Sequence, residues 1–239
     1  MKTLLISLSI LFSLLLLSTS CGFIGNSLEG QGPIVTKEVS LGSINAIELH
    51  STARVYIRQS DIQSISIKAQ QNIIDLLKTE VNDGKWIIDF KRCPKTDQKI
   101  EIYIDISKLT EAEIDGSGEI ISKGLIKGDD LELNIEGSGS IKFELDVKEL
   151  ATEINGSGDL TLSGESKLHD IEINGSGDIS AYDLMTNETK VEINGSGDVK
   201  VNVDYSLDVE INGSGDVYYT GSVKMINSEI NGSGKLHRQ

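Results

Sequence analysis

The chain has 239 residues, with 37 acidic against 22 basic side chains and a formal net charge of −15. That length holds one large domain or two small ones, and the lack of a basic stripe argues against a nucleic-acid partner. Aromatic residues make up 5% and there are 2 prolines against 24 glycines, which suits thin β-layers of Ile, Leu and Val better than a thick mixed core.

The first segment is an address. Met1-Lys2-Thr3 is a short positive stretch, and residues 4–17 form an apolar run interrupted by Ser7, Ser9 and Ser13. The run is short for a bilayer span and fits the apolar part of a secretory signal. Ser18-Thr19-Ser20-Cys21 follows. Small residues and then a cysteine resemble a bacterial lipobox, although the leucine of that motif sits one place early, at Leu17. Residues 1–20 are therefore read as a lipoprotein-type signal peptide. Cys21 is read as the diacylated (palmitate-bearing) first residue of an exported protein, held in the cell envelope at the outer membrane. Two or three acyl chains anchor stably where one does not. The alternative is an ordinary signal cut near Ser20 and a soluble secreted product. Residues 21–34, rich in Gly and Ser, read as a flexible tether. Two cysteines cannot make a disulfide framework. With Cys21 assigned to lipid, Cys93 in Arg92-Cys93-Pro94 reads as a loop thiol with no role.

Residues 35–110 read as a β-rich cap with a first, degenerate coil. Strand patterns cover 46–50, 54–58, 64–69, 79–81, 85–90 and 99–106. A short helix is expected over 71–78, and Asn82-Asp83-Gly84 is a hairpin turn signal. Glu48-Leu49-His50-Ser51-Thr52-Ala53-Arg54-Val55 aligns with the Glu-Ile-Asn-Gly-Ser-Gly-Asp-Val of the units downstream.

Residues 111–239 are repeats. Gly-Ser-Gly begins at 116, 137, 156, 175, 195, 213 and 232, in steps of 21, 19, 19, 20, 18 and 19 residues. Five copies read Ile-Asn-Gly-Ser-Gly, with Asn155, Asn174, Asn194, Asn212 and Asn231; the first two carry Asp115 and Glu136 instead. Helical repeats of the common kinds need more than about thirty residues. A unit of this length holds two or three short strands and cannot bury its own apolar face, but it can once stacked on its neighbours. The fold class expected is all-β, a parallel β-helix or solenoid with coils of about 19 residues and one Gly-Ser-Gly corner per coil. Equivalent residues then form columns. The expected structural ladder is Asn155, Asn174, Asn194, Asn212 and Asn231 beside Ser157, Ser176, Ser196, Ser214 and Ser233. Differences in step length are expected to be absorbed near 124–130 and 182–190. Lys235-Leu236-His237-Arg238 closes the far end with charges that oppose end-to-end pairing.

An exported chain with Leu41-Gly42-Ser43-Ile44 ahead of Glu48–Val55 and then repeated Gly-Ser-Gly blocks resembles the head GIN domain family. Those proteins are described as putative auto-transporter adhesins and are common in Bacteroidetes. The resemblance spans about residues 36–234. It implies a right-handed single-stranded β-helix, an envelope location and an adhesin-like role, and it carries over no catalytic residue.

Two acidic columns flank the corner. One holds Glu113, Glu153, Glu172, Glu192, Glu210 and Glu229; the other holds Glu119, Asp159, Asp178, Asp198 and Asp216. Carboxylates about 5 Å apart repel by up to ~1 kcal/mol per pair in water, so compensation is needed. A weak Ca²⁺ edge on Asp159, Asp178, Asp198 and Asp216 is one reading; a solvated solubility edge is the preferred one. The Asn-Gly-Ser triplets match a glycosylation sequon, which the structural ladder explains better. His50, His169 and His237 lack metal-ligand spacing, and no nucleophile elbow or phosphate loop is present. Neither an enzyme nor a cofactor is expected. The function read from the sequence is a non-catalytic envelope lipoprotein. Its expected partners are the membrane, through the lipid on Cys21, and a protein or glycan. The alternative is a carbohydrate-binding or carbohydrate-processing β-helix.

Overall fold

The computed structural model describes residues 27–239, so the signal segment, Cys21 and the start of the tether lie outside the described residues. The described chain is almost entirely β. Its N-terminal part runs β1 (Ser27–Glu29), β2 (Ile34–Glu38), β3 (Ala46–Leu49), β4 (Arg54–Gln59), β5 (Ser64–Gln70), α1 (Gln71–Ile74), β6 (Val81–Asn82), β7 (Lys85–Ile88), β8 (Cys93–Lys95) and β9 (Glu101–Ile106). The repeats supply β10 (Glu111–Gly116), β11 (Glu119–Lys127), β12 (Asp130–Gly137), β13 (Ser140–Gly156), β14 (Asp159–Gly175), β15 (Asp178–Gly195), β16 (Val199–Gly213), β17 (Val217–Thr220), β18 (Met225–Gly232) and β19 (Leu236–Arg238).

The repeats stack as a parallel β-solenoid. Ile154 pairs with Ile135 on one side and Ile173 on the other, Ile193 follows Ile173, and Ile211 follows Ile193. These residues form one column with no solvent exposure, continued by Leu49 and Ile114. Alternation of period two sends Ile, Val and Leu into the lumen and charged residues out. Each side chain in the column lies on its counterpart about one inter-strand spacing away, roughly 4.8 Å. The pairing register slips between Ile121 and Leu125, between Thr161 and Ser163, and twice within Ala181–Glu188. The steps of unequal length are thus absorbed on the side of the coil away from Gly-Ser-Gly.

The N-terminal part joins the same stack out of chain order. β3 pairs with β10 in the register Glu48–Glu113 and Leu49–Ile114, and β4 pairs with β11 in the register Arg54–Glu119 and Val55–Ile120. This matches the alignment of 48–55 with the repeat. That coil is not the outermost, however. β7 and β9 pair with the other edges of β3 and β4, so residues 85–106 lie outside residues 46–59. β5 then pairs antiparallel with β9, and β2 antiparallel with β5. The switch to antiparallel pairing closes this end of the lumen.

Several local expectations change. The helix expected over 71–78 is one turn, Gln71–Ile74. Leu76 and Leu77 donate to Ile73 and Ile74 in tighter turns, and Leu77 then bridges Phe90 as a strand would. The 82–85 hairpin forms as its sequence indicates, with Asp83 at φ 49° and Gly84 at φ 82°, the signature of a type I′ turn. From Ser27 onward the stretch read as a tether carries strand pairing, Ser27 lying opposite Cys93. Cys93 is disulfide-bonded, which corrects its reading as a loop thiol; the chain's other cysteine, Cys21, is outside the described residues.

Candidate functional site

The Gly-Ser-Gly corners form one continuous ridge along the stack. The first glycine of each triplet has φ between +116° (Gly137) and +156° (Gly213), a region that L side chains rarely occupy. The second glycine is buried. A methyl at Gly158, Gly177 or Gly197 would strike the carbonyl of the equivalent glycine one coil back and the isoleucine that closes that coil. The steric demand comes from the stack itself. The serines are exposed. Their backbone N–H groups tie the coils, with Ser157 donating to Gly137, Ser176 to Gly156 and Ser214 to Gly195 at 2.7–2.8 Å.

The asparagines make the ladder. Asn174, Asn194, Asn212 and Asn231 each donate from Nδ2 to the Oδ1 of the asparagine one coil earlier, at 3.0–3.1 Å. The second Nδ2 hydrogen goes to the glutamate two residues upstream: Asn155 to Glu153, Asn174 to Glu172, Asn194 to Glu192 and Asn212 to Glu210, at 2.6–3.1 Å. Residues two apart share a face of a strand, so each glutamate sits beside its asparagine. The amide column thereby offsets the carboxylate column next to it. Sequence reasoning placed both columns and missed the bond between them, though the period-two spacing carried it.

The aspartate column has a different use. Asp178 Oδ1 accepts the backbone N–H of Asp198, Asp198 Oδ1 that of Asp216, and Asp216 Oδ1 that of Lys235, each at 2.8 Å. The donors Asp198, Asp216 and Lys235 stand where the strand is interrupted after the corner, so each carboxylate satisfies an N–H that the ladder leaves over. The Asp159 N–H still bonds the Gly139 carbonyl. Among the described residues no group of three or more His, Cys, Asp or Glu is arranged to hold a metal ion.

At the N-terminal end one lysine gathers the acids. Lys85 Nζ lies 2.7 Å from Glu111, 2.9 Å from Glu113 and 3.1 Å from Glu48. Burial works to lower the Lys85 ammonium, but the three carboxylate hydrogen bonds outweigh it and hold it raised. Burial pushes the Glu113 carboxyl up despite the Lys85 bond. Glu48 also feels burial, but its bonds to His50 and Lys85 leave it lowered.

A second feature begins beside this cluster, where Glu132 pairs with Glu111, and was not read from the sequence. A groove of 620 Å³ runs across six coils, from Thr110 to Asp208, lined among others by Asp130, Glu132, Glu149, Asp170 and Glu188, with Lys190 as its one lysine. His169 also lines it. This histidine replaces the Leu150 of the preceding coil in the lumen and is 2% exposed. Its Nε2 is 3.1 Å from Thr152 Oγ1, while Nδ1 is buried without a partner. Burial pushes its pKa down to about 3, so the ring is neutral. Ser166, Thr186 and Thr189 are the neighbouring buried polar residues, with Thr186 and Thr189 bonded at 2.7 Å.

Residues 44–223 match the family described as putative auto-transporter adhesin, head GIN domain. The chain belongs to the head GIN domain family. Solved structures share the fold of this head GIN protein. A putative adhesin from Bacteroides fragilis superposes with a TM-score of 0.82 at 23% identity, covering 89% of this chain and 100% of that one. A putative lipid binding protein from Parabacteroides distasonis gives 0.73 at 24% identity, covering 89% and 99%. A putative adhesin from Parabacteroides merdae gives 0.72 at 22% identity, covering 90% and 99%. A comparison with curated proteins returned no match. At these identities the likeness is one of fold. No described helix is long and apolar enough to cross a membrane.

Proposed function

We propose that this head GIN protein is a non-catalytic envelope lipoprotein whose solenoid binds a protein or glycan partner at the cell surface, as an adhesin does. The observation that carries the reading is how the repeat's polar side chains are used. The asparagine amides bond neighbouring coils and their own glutamates, and three aspartates accept backbone N–H groups of the next coil. Catalysis by paired carboxylates needs two acids whose environments push their pKa values apart; from Glu153 to Glu229 and from Asp159 to Asp216 the acids repeat one environment coil after coil, and the one pair that diverges, Glu48 and Glu113, is tied up by Lys85. What remains is an ordered, acidic, exposed surface suited to display.

An acylated Cys21 would hold the protein in the envelope. It would leave the Cys93 disulfide a cysteine of another chain as its partner, because the chain has two cysteines. The intact mass of the exported protein therefore decides between acyl chains on Cys21 and a bond from Cys21 to Cys93. Acyl chains and a new N-terminus at Cys21 are expected; an unacylated protein would remove the anchor from the proposal.

The binding role is tested on cells. A deletion strain should adhere less to host-type or bacterial surfaces, and the gene supplied in trans should restore adhesion. Protease treatment of intact cells should digest the protein. Unchanged adhesion together with protection from protease would end the adhesin reading.

A further inference from the structure

One stretch of the outer wall departs from the repeat. Tyr56 on β4 pairs with Tyr103 on β9, and Tyr103 pairs in turn with Ser66 on β5. The column that passes through Tyr56 continues as Ile121, Lys142, Thr161, Ser180 and Lys200. The pair of tyrosines is therefore no product of the repeat; Tyr218, at the far end of the column, stacks on His237 instead. The rings of Tyr56 and Tyr103 have centroids 5.0 Å apart and planes inclined by 27°. Ser66, the other neighbour of Tyr103 in the row, is too small to cover the ring, which is consistent with the 38% exposure of Tyr103.

A second row runs beside the first, from Arg58 to Asp105 to Ser64. Arg58 holds Asp105 with two hydrogen bonds, Nε to Oδ1 at 2.8 Å and Nη2 to Oδ2 at 2.7 Å, and Ser64 Oγ donates to Oδ2 at 3.0 Å. The two rows, together with Lys123, line a pocket of 270 Å³. The Lys123 ammonium lies 4.1 Å from the centre of the Tyr56 ring and meets no carboxylate among the described residues. Arg58 is offset by Asp105, so Lys123 leaves the lining with surplus positive charge on a chain of net charge −15. Three chemistries thus meet in one pocket. An aromatic face receives C–H groups, a fixed guanidinium–carboxylate pair offers donors and acceptors to hydroxyls, and an ammonium attracts an anion. A pyranose ring has C–H groups on its face and hydroxyls at its rim, and an acidic sugar adds a carboxylate.

From this arrangement we propose that the pocket beside Tyr103 binds a carboxylated saccharide, with the sugar ring against the Tyr103 face, its hydroxyls on Arg58, Asp105 and Ser66, and its carboxylate on Lys123. This rests on the adhesin reading and names the chemical class of its ligand. The acidic columns of the repeat repel the same ligand, so binding is confined to the coils at the N-terminal end. The charge contact is open to solvent, and added salt weakens it.

The test uses the full exported chain in detergent on a glycan array that carries uronate-bearing, sialylated and neutral glycans. Carboxylated glycans should bind, and their neutral counterparts should bind about five-fold more weakly. Tyr103→Leu should weaken binding about ten-fold, whereas Tyr103→Phe, which keeps the ring, should stay within about two-fold of the parent. Lys123→Gln should remove the preference for carboxylated glycans, and Tyr218→Leu should change nothing. Melting temperatures confirm that each variant is folded. A silent array, equal binding of neutral and carboxylated glycans by the parent, or binding that Tyr103→Leu and Lys123→Gln leave intact overturns the proposal. If that happens while the deletion strain still loses adhesion, the adhesin reading stands without this pocket. Glycan binding that follows Tyr103 and Lys123, with adhesion unchanged in the deletion strain, leaves the pocket standing and removes the adhesin role.

Discussion

Asn174 donates one Nδ2 hydrogen to Asn155 Oδ1 at 3.0 Å and the other to Glu172 Oε1 at 2.8 Å, while its own Oδ1 accepts from Asn194 at 3.1 Å. One side chain thus ties three coils and a carboxylate. Asn174→Ala should lower stability by about 1–2 kcal/mol, since each hydrogen bond is worth about 1 kcal/mol net. Asn174→Asp should cost more at neutral pH, because a carboxylate cannot donate to Glu172 and repels it. That excess should fade as the pH drops through the carboxylate range. Denaturant midpoints of both variants at two pH values check the order.

The corner glycines are fixed by close approach between coils. A methyl at Gly197 would run into the Gly177 carbonyl, which no local rotation can relieve because the contact is backbone on backbone. Gly197→Ala should destabilise by about 3 kcal/mol or more, in the range of overpacking and strain. Gly42→Ala, where nothing lies within 4 Å of the added carbon, should stay within about 0.5 kcal/mol of the parent. Thermal melting of the pair separates a steric demand of the stack from the general cost of losing a glycine.

Lys85 is the counter-charge for Glu48, Glu111 and Glu113. Lys85→Met leaves three carboxylates facing one another at the end of the repeat. The site is partly exposed, so the expected loss is about 1–3 kcal/mol, below that of a fully buried pair. The sign with pH follows. In the variant the facing carboxylates repel while charged, so the deficit is full at neutral pH and shrinks as acid neutralises them. A melting-temperature difference from the parent that does not narrow between pH 7 and pH 4 would contradict this role.

His169 should govern part of the acid limb of stability. Its folded pKa is pushed down to about 3 by burial, against about 6.5 in an unfolded chain. Above pH 6.5 both states are neutral and the residue contributes no slope. Below it the unfolded chain takes up a proton that the native state refuses. Stability therefore falls by up to roughly 1.4 kcal/mol per pH unit until about pH 3. His169→Leu, the residue of the preceding coil at this place, should remove that slope and relieve the unpartnered Nδ1. Urea titrations of parent and variant at pH 7 and pH 5 should diverge at pH 5.

The part of the fold most legible in the sequence is the part that repeats. Seven Gly-Ser-Gly triplets in steps of 18–21 residues fix a coil length, and a coil length fixes columns. The alignment of Glu48–Val55 with the repeat was also readable, and the register Val55–Ile120 follows it. Placing residues 85–106 outside that coil was not readable. Those strands carry no corner motif, and nothing local in Lys85–Ile88 distinguishes one edge of β3 from the other. The acidic groove was hidden for a related reason. It is made by Asp130 and Glu149 in adjacent coils and by Glu188 two coils on, with Leu168 between them, close to where the register slips. His169 gave a weak signal, a polar residue where the period calls for leucine. The disulfide at Cys93 gave none.

The inverted placement of the coil at 46–59 bears on the order in which the chain can fold. Its flanking strands come from 85–106 on one side and 111–127 on the other. A polypeptide emerging from its N-terminus cannot lay this region down one turn at a time. The 46–59 segment finds no parallel partner until residues 85–106 are delivered, and its other edge is covered only by 111–127; long-range closures of this kind are slow. Beyond residue 127 each turn needs only the one before it. Assembly therefore has a slow opening and a fast, processive finish.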